Sequence, residues 1–434
     1  MIQINPREIA AEALMEIMTA DAYNTMTLRR LLRQNGAMSR QDRAFVTEVV
    51  NGTLRNLIYI DHVLNTFSKT KTEKMKPWLL AVLRTAVYQM YFMDVPDAAA
   101  CNEAVKLAAK KGFHNLKGFV NGVLRNISRN LDQITYPDPS DPVSCLSVRE
   151  SLPEWLVSQW LETYDFDTVQ KMGEAFLKAD PLSVRFDPQR ITKEALLDML
   201  EKEGVTVREI PDTPCGLYLS DFDHLAALSS FRQGYYQVQD VSSMQAALWA
   251  DPKPGDEIID VCAAPGGKAI HLAELLSGTG HVEARDLTEY KAGLIRENIE
   301  RSGLTNIEAV VQDALETDQE SVEKADIVIA DLPCSGLGVL GKKPDLKLRM
   351  TKEAQEELAA LQRRILAVVK DYVKPGGKLL TAPARSSRRE MKQNAQWFAG
   401  KYPEFSLVRE QQRLPGKDEG DGFYLALFRR RDDE

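Results

Sequence analysis

The stretch Ile258-Ile259-Asp260-Val261-Cys262-Ala263-Ala264-Pro265-Gly266-Gly267-Lys268 decides the fold of the C-terminal half of this 434-residue chain. An apolar run typical of a buried strand passes into a turn of small residues, and a helix is predicted next at 271–276. Small residues let the backbone approach a ligand, which the first helix amides then face. The spacing matches neither G-x-G-x-x-G nor Walker A, so a pyrophosphate-binding NAD site is not favoured. A plain strand-to-helix turn is the alternative interpretation.

Short apolar runs alternate with helical stretches on both sides of this segment. The alternation predicts a doubly wound α/β sheet of parallel strands over residues 236–434. The predicted strands are Glu257–Cys262, His281–Asp286, Ile307–Gln312, Asp326–Asp331, Lys378–Ala382, Ser406–Val408 and Phe423–Phe428.

Acidic residues stand at the ends of successive predicted strands. Asp286 lies 20 residues after Gly266, where a doubly wound fold presents a carboxylate to a ribose. Asp313 and Asp331 end the next two strands. One such aspartate is usually a cap, but the series predicts a crevice for a nucleoside-like ligand.

The rest of the chain predicts two further domains. Residues 1–135 show helical apolar spacing throughout, as in a compact all-α bundle. Residues 136–235 begin with three prolines in seven residues, Tyr136 to Pro142, and then mix strand and helix patterns, including predicted strands at Leu182–Phe186 and Gly216–Leu219. We interpret this part as a linker followed by a small α+β module.

Composition restricts the classes of protein. No apolar run reaches about 18 residues, so a transmembrane helix is excluded. Five cysteines without a CxxC pair argue against disulfides and zinc, and the five histidines lack metal-ligand spacing. We expect a cytoplasmic monomer with no metal and no membrane partner. The net charge of −8 argues against nucleic acid, yet residues 1–140 carry +5 and the remainder −13.

Several motifs together resemble a known family. Asp260 to Lys268 looks like the S-adenosylmethionine motif of RNA 5-methylcytosine methyltransferases, and Asp331-Leu332-Pro333-Cys334-Ser335-Gly336 resembles their Asp-x-Pro-Cys-Ser-Gly motif. Gln239 to Ser243 and Asp421 to Tyr424 resemble the family's leading and closing segments. Gly118 to Arg125 resembles part of a NusB-like RNA-binding domain, and this combination resembles the RsmB (Sun/Fmu) family.

The resemblance implies a NusB-like bundle and a Rossmann-like methyltransferase domain that uses S-adenosylmethionine to methylate C5 of a cytosine in 16S ribosomal RNA. It places cofactor contacts at Cys262, Ala263, Ala264, Pro265, Gly266, Gly267, Lys268, Asp286, Asp313 and Asp331. We expect Cys262 to contribute backbone while its side chain packs. Asp331 and Cys334 are the implied catalytic residues. The reaction needs a thiolate that bonds to C6 and a carboxyl group, here Asp331, at the N3 edge of the pyrimidine, while the cysteine of the Pro-Cys motif, here Cys334, assists product release in this family.

The family's nucleophilic cysteine is absent, since its position is occupied by Ala384. Three hypotheses explain this. A local frameshift over codons 381–390 is one, because Thr-Ala-Pro-Ala-Arg read one base earlier permits Tyr-Ser-Thr-Cys-Thr, the family's expected segment. Cys334 acting as the nucleophile is the second. The third is a NusB-like RNA-binding assembly factor with a disabled methyltransferase domain.

RNA contacts are predicted at basic residues. Lys342, Lys343 and Lys347 follow the Pro-Cys motif and are expected to grip the target strand. In the bundle, Arg125 and Arg129 form one candidate cluster. The other candidates are Arg29-Arg30 with Arg33, the run Lys69 to Lys76, Lys110-Lys111 with Lys117, and Arg185 in the middle module. Solvated helix faces are the alternative for each.

Overall fold

The structure, a computed structural model, describes residues 4–20, 22–178, 181–383 and 388–432, with the backbone alone for 388–393. The chain divides into two compact units. We call Met1–Ala179 with Leu340–Arg349 the helical unit, and Asp180–Val339 with Met350–Glu434 the sheet unit. No helix in the described ranges is long and apolar enough to cross a membrane.

The helical unit is built around a nearly buried central helix, α5. Its neighbour α1 begins at a polar cap: the Asn5 side chain accepts a hydrogen bond from the Arg7 amide, and Pro6 lies in the first turn. Gly52 on α3 lets Tyr88 of α5 come close, since a Cβ at residue 52 would lie 1.9 Å from the tyrosine ring. The helices are α1 Pro6–Thr19, α2 Asn24–Gln34, α3 Arg40–Arg55, α4 Leu57–Phe67, α5 Pro77–Phe92, α6 Asp97–Lys110, α7 Lys117–Arg129, α8 Pro142–Arg149, α9 Glu154–Leu161 and α10 Phe166–Leu177.

The sheet unit begins with a small antiparallel sheet of order β2-β3-β1-β4. Leu196 and Leu200 of α11 are fully buried in its core with Val184 of β1, so one face of the sheet is covered by the helix. The elements are β1 Leu182–Phe186, α11 Lys193–Lys202, β2 Thr206–Glu209, β3 Gly216–Ser220, α12 Ser229–Arg232 and β4 Tyr236–Val238.

A larger sheet of order β10-β11-β9-β8-β5-β6-β7 follows. Two apolar cores surround it, one including Ile258 and Ile270, the other including Ile259 and Phe398, so alternate residues of β5 enter different cores. The elements are α13 Val241–Ala250, β5 Glu257–Asp260, α14 Gly267–Leu275, β6 His281–Asp286, α15 Glu289–Ser302, β7 Ile307–Val311, β8 Ala325–Ala330, α17 Lys352–Val369, β9 Val373–Thr381, α18 Arg388–Lys401, β10 Phe405–Arg413 and β11 Phe423–Arg430. Between β8 and α17 the chain enters the helical unit and forms α16, Leu346–Arg349.

The Rossmann-like α/β architecture is confirmed, but the expectation of parallel strands throughout is wrong for one of them. Strands β5 to β9 pair in parallel, whereas β11 pairs antiparallel with both β9 and β10. The connection from β10 to β11 is too short to hold the crossover that parallel neighbours need, so the chain simply turns back.

The compact units divide the chain differently from the predicted ranges 1–135, 136–235 and 236–434. Helices α8 to α10 belong to the helical unit, while β1 to β4 belong to the sheet unit. The apolar faces of α8 and α9 explain the first assignment, since Cys145, Leu146, Leu156 and Trp160 are almost fully buried.

Candidate active site

The turn after β5 lies at the switch point of the large sheet, where the chain continues to β6 on one side and later returns to β8 on the other. Gly266 precedes α14 with a φ of +104°, a conformation that favours glycine. A Cβ there would lie 3.3 Å from Cγ2 of Ile295, so the space is also restricted. Doubly wound sheets bind their ligands in the crevice at the switch point, which makes this turn one wall of the candidate site.

Asp286 connects the turn to the end of β6. Its carboxylate accepts hydrogen bonds from the Ala264 amide at 3.0 Å and the Leu287 amide at 2.8 Å, and it pairs with the Lys291 ammonium at 2.9 Å. The side chain is nearly buried. Asp286 therefore fixes the turn backbone relative to the next strand, and its role as a ribose ligand stays a prediction.

Asp331 and Lys268 form the charged pair of the site. Asp331 directly follows β8, and one carboxylate oxygen accepts a hydrogen bond from the Lys268 ammonium at 2.6 Å. Lys268 is almost buried, and its ammonium lies 5.2 Å from the ring centroid of Phe423. The pair brings the glycine turn, the Pro-Cys motif and the closing motif into one place.

Asp313, by contrast, accepts a hydrogen bond from the Leu315 amide at 2.9 Å in a local turn.

Asp260 is a site residue that sequence reasoning did not single out. It is fully buried at the end of β5, and neither carboxylate oxygen has a hydrogen-bond partner in the described part of the chain. Burial, and then the nearby Asp331, raises the pKa of Asp260 to about 7. The signal in the sequence was an acidic residue at the end of an apolar strand. A carboxyl group contributes little to packing at such a position, which indicates a functional role.

Cys262 is oriented toward the core, as expected for a packing side chain. It contacts the cluster that contains Ile259 and Val261. Burial, followed by the charges of Asp260 and Asp286, raises the pKa of the Cys262 thiol. A thiol held protonated in this way is a poor nucleophile.

The leading, Pro-Cys and closing motifs meet in the structure. Gly338 and Gly422 are in backbone contact: the Gly422 amide donates to the Gly338 carbonyl at 2.9 Å, and a Cβ at residue 338 would lie 2.1 Å from the Gly422 oxygen. The Ser242 hydroxyl donates to the Asp421 carbonyl at 2.8 Å. The Asp240 carboxylate accepts hydrogen bonds from the amides of both Ser242 and Asp421.

The Cys334 loop is held from α17. The Pro333 carbonyl accepts a hydrogen bond from the buried amide of Gln362 at 2.8 Å. Beside this loop, β9 pairs with β8, and the Ala382 amide just after β9 donates a hydrogen bond to the Ala330 carbonyl at 3.1 Å. Ala384, the predicted nucleophile position, lies outside the described residues, as do residues 385–387 of the segment 381–390 in which a frameshift is one hypothesis.

Known proteins match every part of the chain. Residues 4–129 match the NusB family, residues 152–223 the RsmF/B-like ferredoxin-like domain, and residues 247–429 the 16S rRNA methyltransferase RsmB/F family. The chain is 35% identical over 422 residues to the probable ribosomal RNA small subunit methyltransferase B of Bacillus subtilis, covering 96% of this chain and 93% of that protein. The chain belongs to the RsmB family.

A further relative has a similar name, and solved structures share the fold. The probable ribosomal RNA small subunit methyltransferase B of Synechocystis is 29% identical over 98% of this chain and 100% of its own length. The crystal structure of PH0851 covers 98% of this chain and 99% of its own, with a TM-score of 0.81 and 25% identity. NSun6 from Pyrococcus horikoshii with SFG shares the fold over 65% of this chain and 100% of its own, with a TM-score of 0.59 and 22% identity. The comparisons do not favour the alternative of a disabled assembly factor.

The RNA contacts predicted for this RsmB-family chain fall into two groups. Arg125, Lys342 and Lys343 are exposed in the helical unit, where a phosphate is able to reach them. The prediction for Lys347 is wrong, because its side chain is 4% exposed and its ammonium donates to the carbonyls of Arg55 and Ser151, each at 2.6 Å. Its charge faces protein backbone and not solvent.

The prediction that Arg185 meets RNA is also wrong. Its guanidinium is buried, pairs with Glu274 and donates to Gln239 at 2.6 Å. Because the side chain is 2% exposed, a phosphate group in solvent cannot reach the guanidinium.

No group of three or more histidine, cysteine or acidic side chains that could hold a metal ion occurs among the residues the structure describes. The polar groups of the candidate site are therefore carboxylates, one lysine, backbone amides and the Cys334 thiol.

Proposed function

We propose that this protein transfers a methyl group from S-adenosylmethionine to C5 of a cytosine in 16S ribosomal RNA. The observation that carries the proposal is the Lys268–Asp331 pair, which joins the turn after β5 to the start of the Pro-Cys motif. The names of the RsmB relatives support small-subunit ribosomal RNA as the substrate.

The crevice at the switch point fits the cofactor. Gly266 adopts the positive φ that the turn requires, and the buried carboxyl group of Asp260, which has no hydrogen-bond partner among the described residues, offers a negative charge at the end of β5. The residues that would hold the cofactor are those of the turn 262–268 together with Asp286. When bound, S-adenosylmethionine supplies a methyl group on a positively charged sulfur.

The remaining chemistry needs a thiolate and a carboxyl group. C5 of cytosine is a weak nucleophile, so a thiolate must first form a bond to C6, which moves electron density onto C5. Attack at C6 also places negative charge on N3, so N3 takes up a proton from solvent. The Asp331 carboxylate, positioned by Lys268, then accepts a hydrogen bond from the protonated N3 and stabilises the adduct. After C5 is methylated, a base removes its proton and the S–C6 bond breaks, which returns the thiolate.

A basic face of the helical unit is the proposed RNA-binding surface. We define it as Lys69, Lys71, Lys74 and Lys76 with Lys117, Arg125 and Arg129 of α7, all exposed. The Asn126 amide donates to the Phe67 carbonyl at 3.0 Å and so places the lysine run beside α7. The other clusters are partly neutralised, since Lys110 and Lys111 pair with Glu8 and Glu12, and Arg30 pairs with Glu16.

Tritiated methyl transfer to 16S RNA that lacks the modification tests the function. We expect incorporation that nucleoside analysis identifies as 5-methylcytosine. A protein that binds the cofactor and the RNA yet leaves the RNA unlabelled would contradict the proposal, and resequencing codons 381–390 then shows whether the tested chain had lost its cysteine.

Two substitutions locate the nucleophile. If Cys334 attacks C6, we expect Cys334→Ser to reduce methyl transfer at least about a thousandfold and Ala384→Cys to gain nothing. If residue 384 is the position of attack, Ala384→Cys raises the rate instead. Cys215→Ser in the small sheet is the matched control and should leave the rate unchanged.

A further inference from the structure

The segment Leu340–Arg349 belongs to the helical unit, although the chain on both sides of it belongs to the sheet unit. It starts a few residues after Cys334 and ends just before α17, which holds the Pro333 carbonyl through Gln362. Two side chains of this segment are buried and charged, Asp345 and Lys347. Neither is needed for the chemistry proposed above, so their burial requires a different reason.

Lys347 binds the end of one helix and the turn that follows another. Its ammonium donates to the carbonyl of Arg55, the last residue of α3, and to the carbonyl of Ser151, just after α8. Carbonyls at helix C-termini lack partners within the helix and carry partial negative charge, so they attract a cation. The contact is reciprocal, because the Arg55 guanidinium donates to the Gly341 carbonyl at 3.1 Å.

Asp345 binds the opposite kind of helix end. Its carboxylate accepts a hydrogen bond at 3.1 Å from the amide of Asn24, the first residue of α2. The preceding residue, Tyr23, makes no side-chain capping bond, so Asp345 supplies the missing cap from a distant part of the sequence. Arg349 strengthens this end through a hydrogen bond to the Ala22 carbonyl and a 4.7 Å approach to the Tyr23 ring.

The arrangement places the carboxylate of Asp345 at a helix N-terminus and the ammonium of Lys347 at a helix C-terminus, each of which carries partial charge of the opposite sign. Leu348 adds an apolar contact with the core formed by α1 to α3. Burial, and then the charge of Arg55, lowers the pKa of Lys347 to about 7, so the ammonium is kept at an energetic cost. A segment that only linked two elements would not need buried charges.

We propose that Lys347, with Asp345, is a positioning residue that fixes the segment after the Pro-Cys motif to the helical unit and thereby restricts the Cys334 loop. The RNA-binding unit then contributes to the rate of methyl transfer as well as to RNA affinity. The effect on rate rests on the proposed function, whereas the fixing of the segment does not.

The test compares Lys347→Met with Lys352→Met in the full-length protein. Lys352 is an exposed lysine at the start of α17 and serves as the matched control. Hydrogen exchange should become at least about tenfold faster in residues 334–349 of Lys347→Met and stay unchanged in Lys352→Met. Unchanged exchange in both variants would overturn the proposal, whatever the activity of the protein.

The kinetic arm separates positioning from binding. For Lys347→Met we expect kcat for methyl transfer to fall about tenfold or more, with the Kd for S-adenosylmethionine unchanged. If Lys347→Met folds and shows faster hydrogen exchange but keeps the wild-type kcat, the proposed effect on the rate is overturned. If Lys347→Met does not fold, Asp345→Asn serves instead, because the amide retains an acceptor for Asn24 and should give a smaller loss in the same direction. A wild-type protein without methyl transfer would contradict the proposed function alone.

Discussion

At the scale of single residues, three carboxyl groups and two ammonium groups determine the electrostatics of the site. Lys268 pairs with Asp331, and Asp286 pairs with Lys291, while Asp260 beneath them has no partner in the described part of the chain. An unpaired buried carboxyl group is expensive when ionised, and a bound cation would lower that cost. Asp260 is thus suited to respond to the positively charged sulfur of the proposed cofactor.

Asp260 should make stability depend on pH. Its pKa is raised from 3.8 to about 7, so the folded protein holds this proton more tightly than the unfolded chain. Stability from this residue is therefore present at low pH and is lost as the pH rises through 7. Relative to wild type, we expect Asp260→Asn to gain roughly 2–3 kcal/mol in unfolding free energy between pH 5 and pH 8.

Urea unfolding at several pH values without ligand measures this difference. Asp212→Asn is the control. Asp212 is an exposed residue in a loop of the small sheet, and asparagine tolerates its φ of +52°. The unfolding free energy of this variant should change with pH in the same way as that of wild type. A constant difference between Asp260→Asn and wild type across the pH range would show that Asp260 does not titrate there.

Strand ends and close backbone contacts organise the site at the scale of elements. The predicted range of β6 agrees with the structure. The predicted ranges of β5 and β7 are one or two residues too long at the C-terminal end, and that of β8 is shifted by one residue, because each strand is a short apolar run bounded by turn residues. Strand β10 is much longer than the predicted Ser406–Val408, since its polar half, Arg409 to Arg413, lies at the sheet edge. Strands β2 and β4 were not predicted at all, because four and three residues carry too little pattern.

The contact of Gly338 with Gly422 predicts that Gly338→Ala is destabilising. The added methyl group would lie 2.1 Å from a backbone oxygen, so the two motifs have to separate. We expect a loss of about 1–3 kcal/mol in unfolding free energy, together with a loss of methyl transfer. Thermal unfolding and the tritium assay measure these.

Gly293→Ala on α15 is the matched control. Nothing lies within 4 Å of the added Cβ, and alanine favours a helix, so we expect a gain of about 0.5–1 kcal/mol. Equal effects of the two substitutions would mean that the approach of Gly338 to Gly422 is unimportant.

The distribution of charge is the relevant property at the scale of the whole molecule. The net charge of −8 argues against a nucleic acid partner, whereas residues 1–140 carry +5. The structure refines this further, because part of the positive charge is paired with acidic side chains and part lies on the basic face. Binding of RNA then depends on a local surface and not on the total charge.

Removing charge from the basic face should change the salt dependence of RNA binding. For the double variant Lys74→Gln with Lys76→Gln, we expect weaker RNA binding and a slope of log K against log salt reduced by about 1 to 2. The double variant Lys110→Gln with Lys111→Gln removes the same charge from residues paired with Glu8 and Glu12, and its slope should change less. Fluorescence anisotropy with a 16S fragment over a salt series provides the measurement, and equal slopes for both double variants would argue against this face.

The sequence by itself determined the family, the order of the domains and the strand ends that carry Asp286, Asp313 and Asp331. It did so because motif spacing and apolar periodicity are local properties of a chain. Only the tertiary structure decided that Asp260 is buried with no hydrogen-bond partner among the described residues, that Lys268 pairs with Asp331, and that the Lys347 ammonium binds the carbonyls at the end of α3 and after α8. A lysine in a polar stretch has the pattern of a surface residue, and the carbonyls that bury Lys347 come from residues about 200 to 300 positions away in the chain. The sequence thus gives the sign and the spacing of the charges, whereas tertiary packing determines which groups they contact.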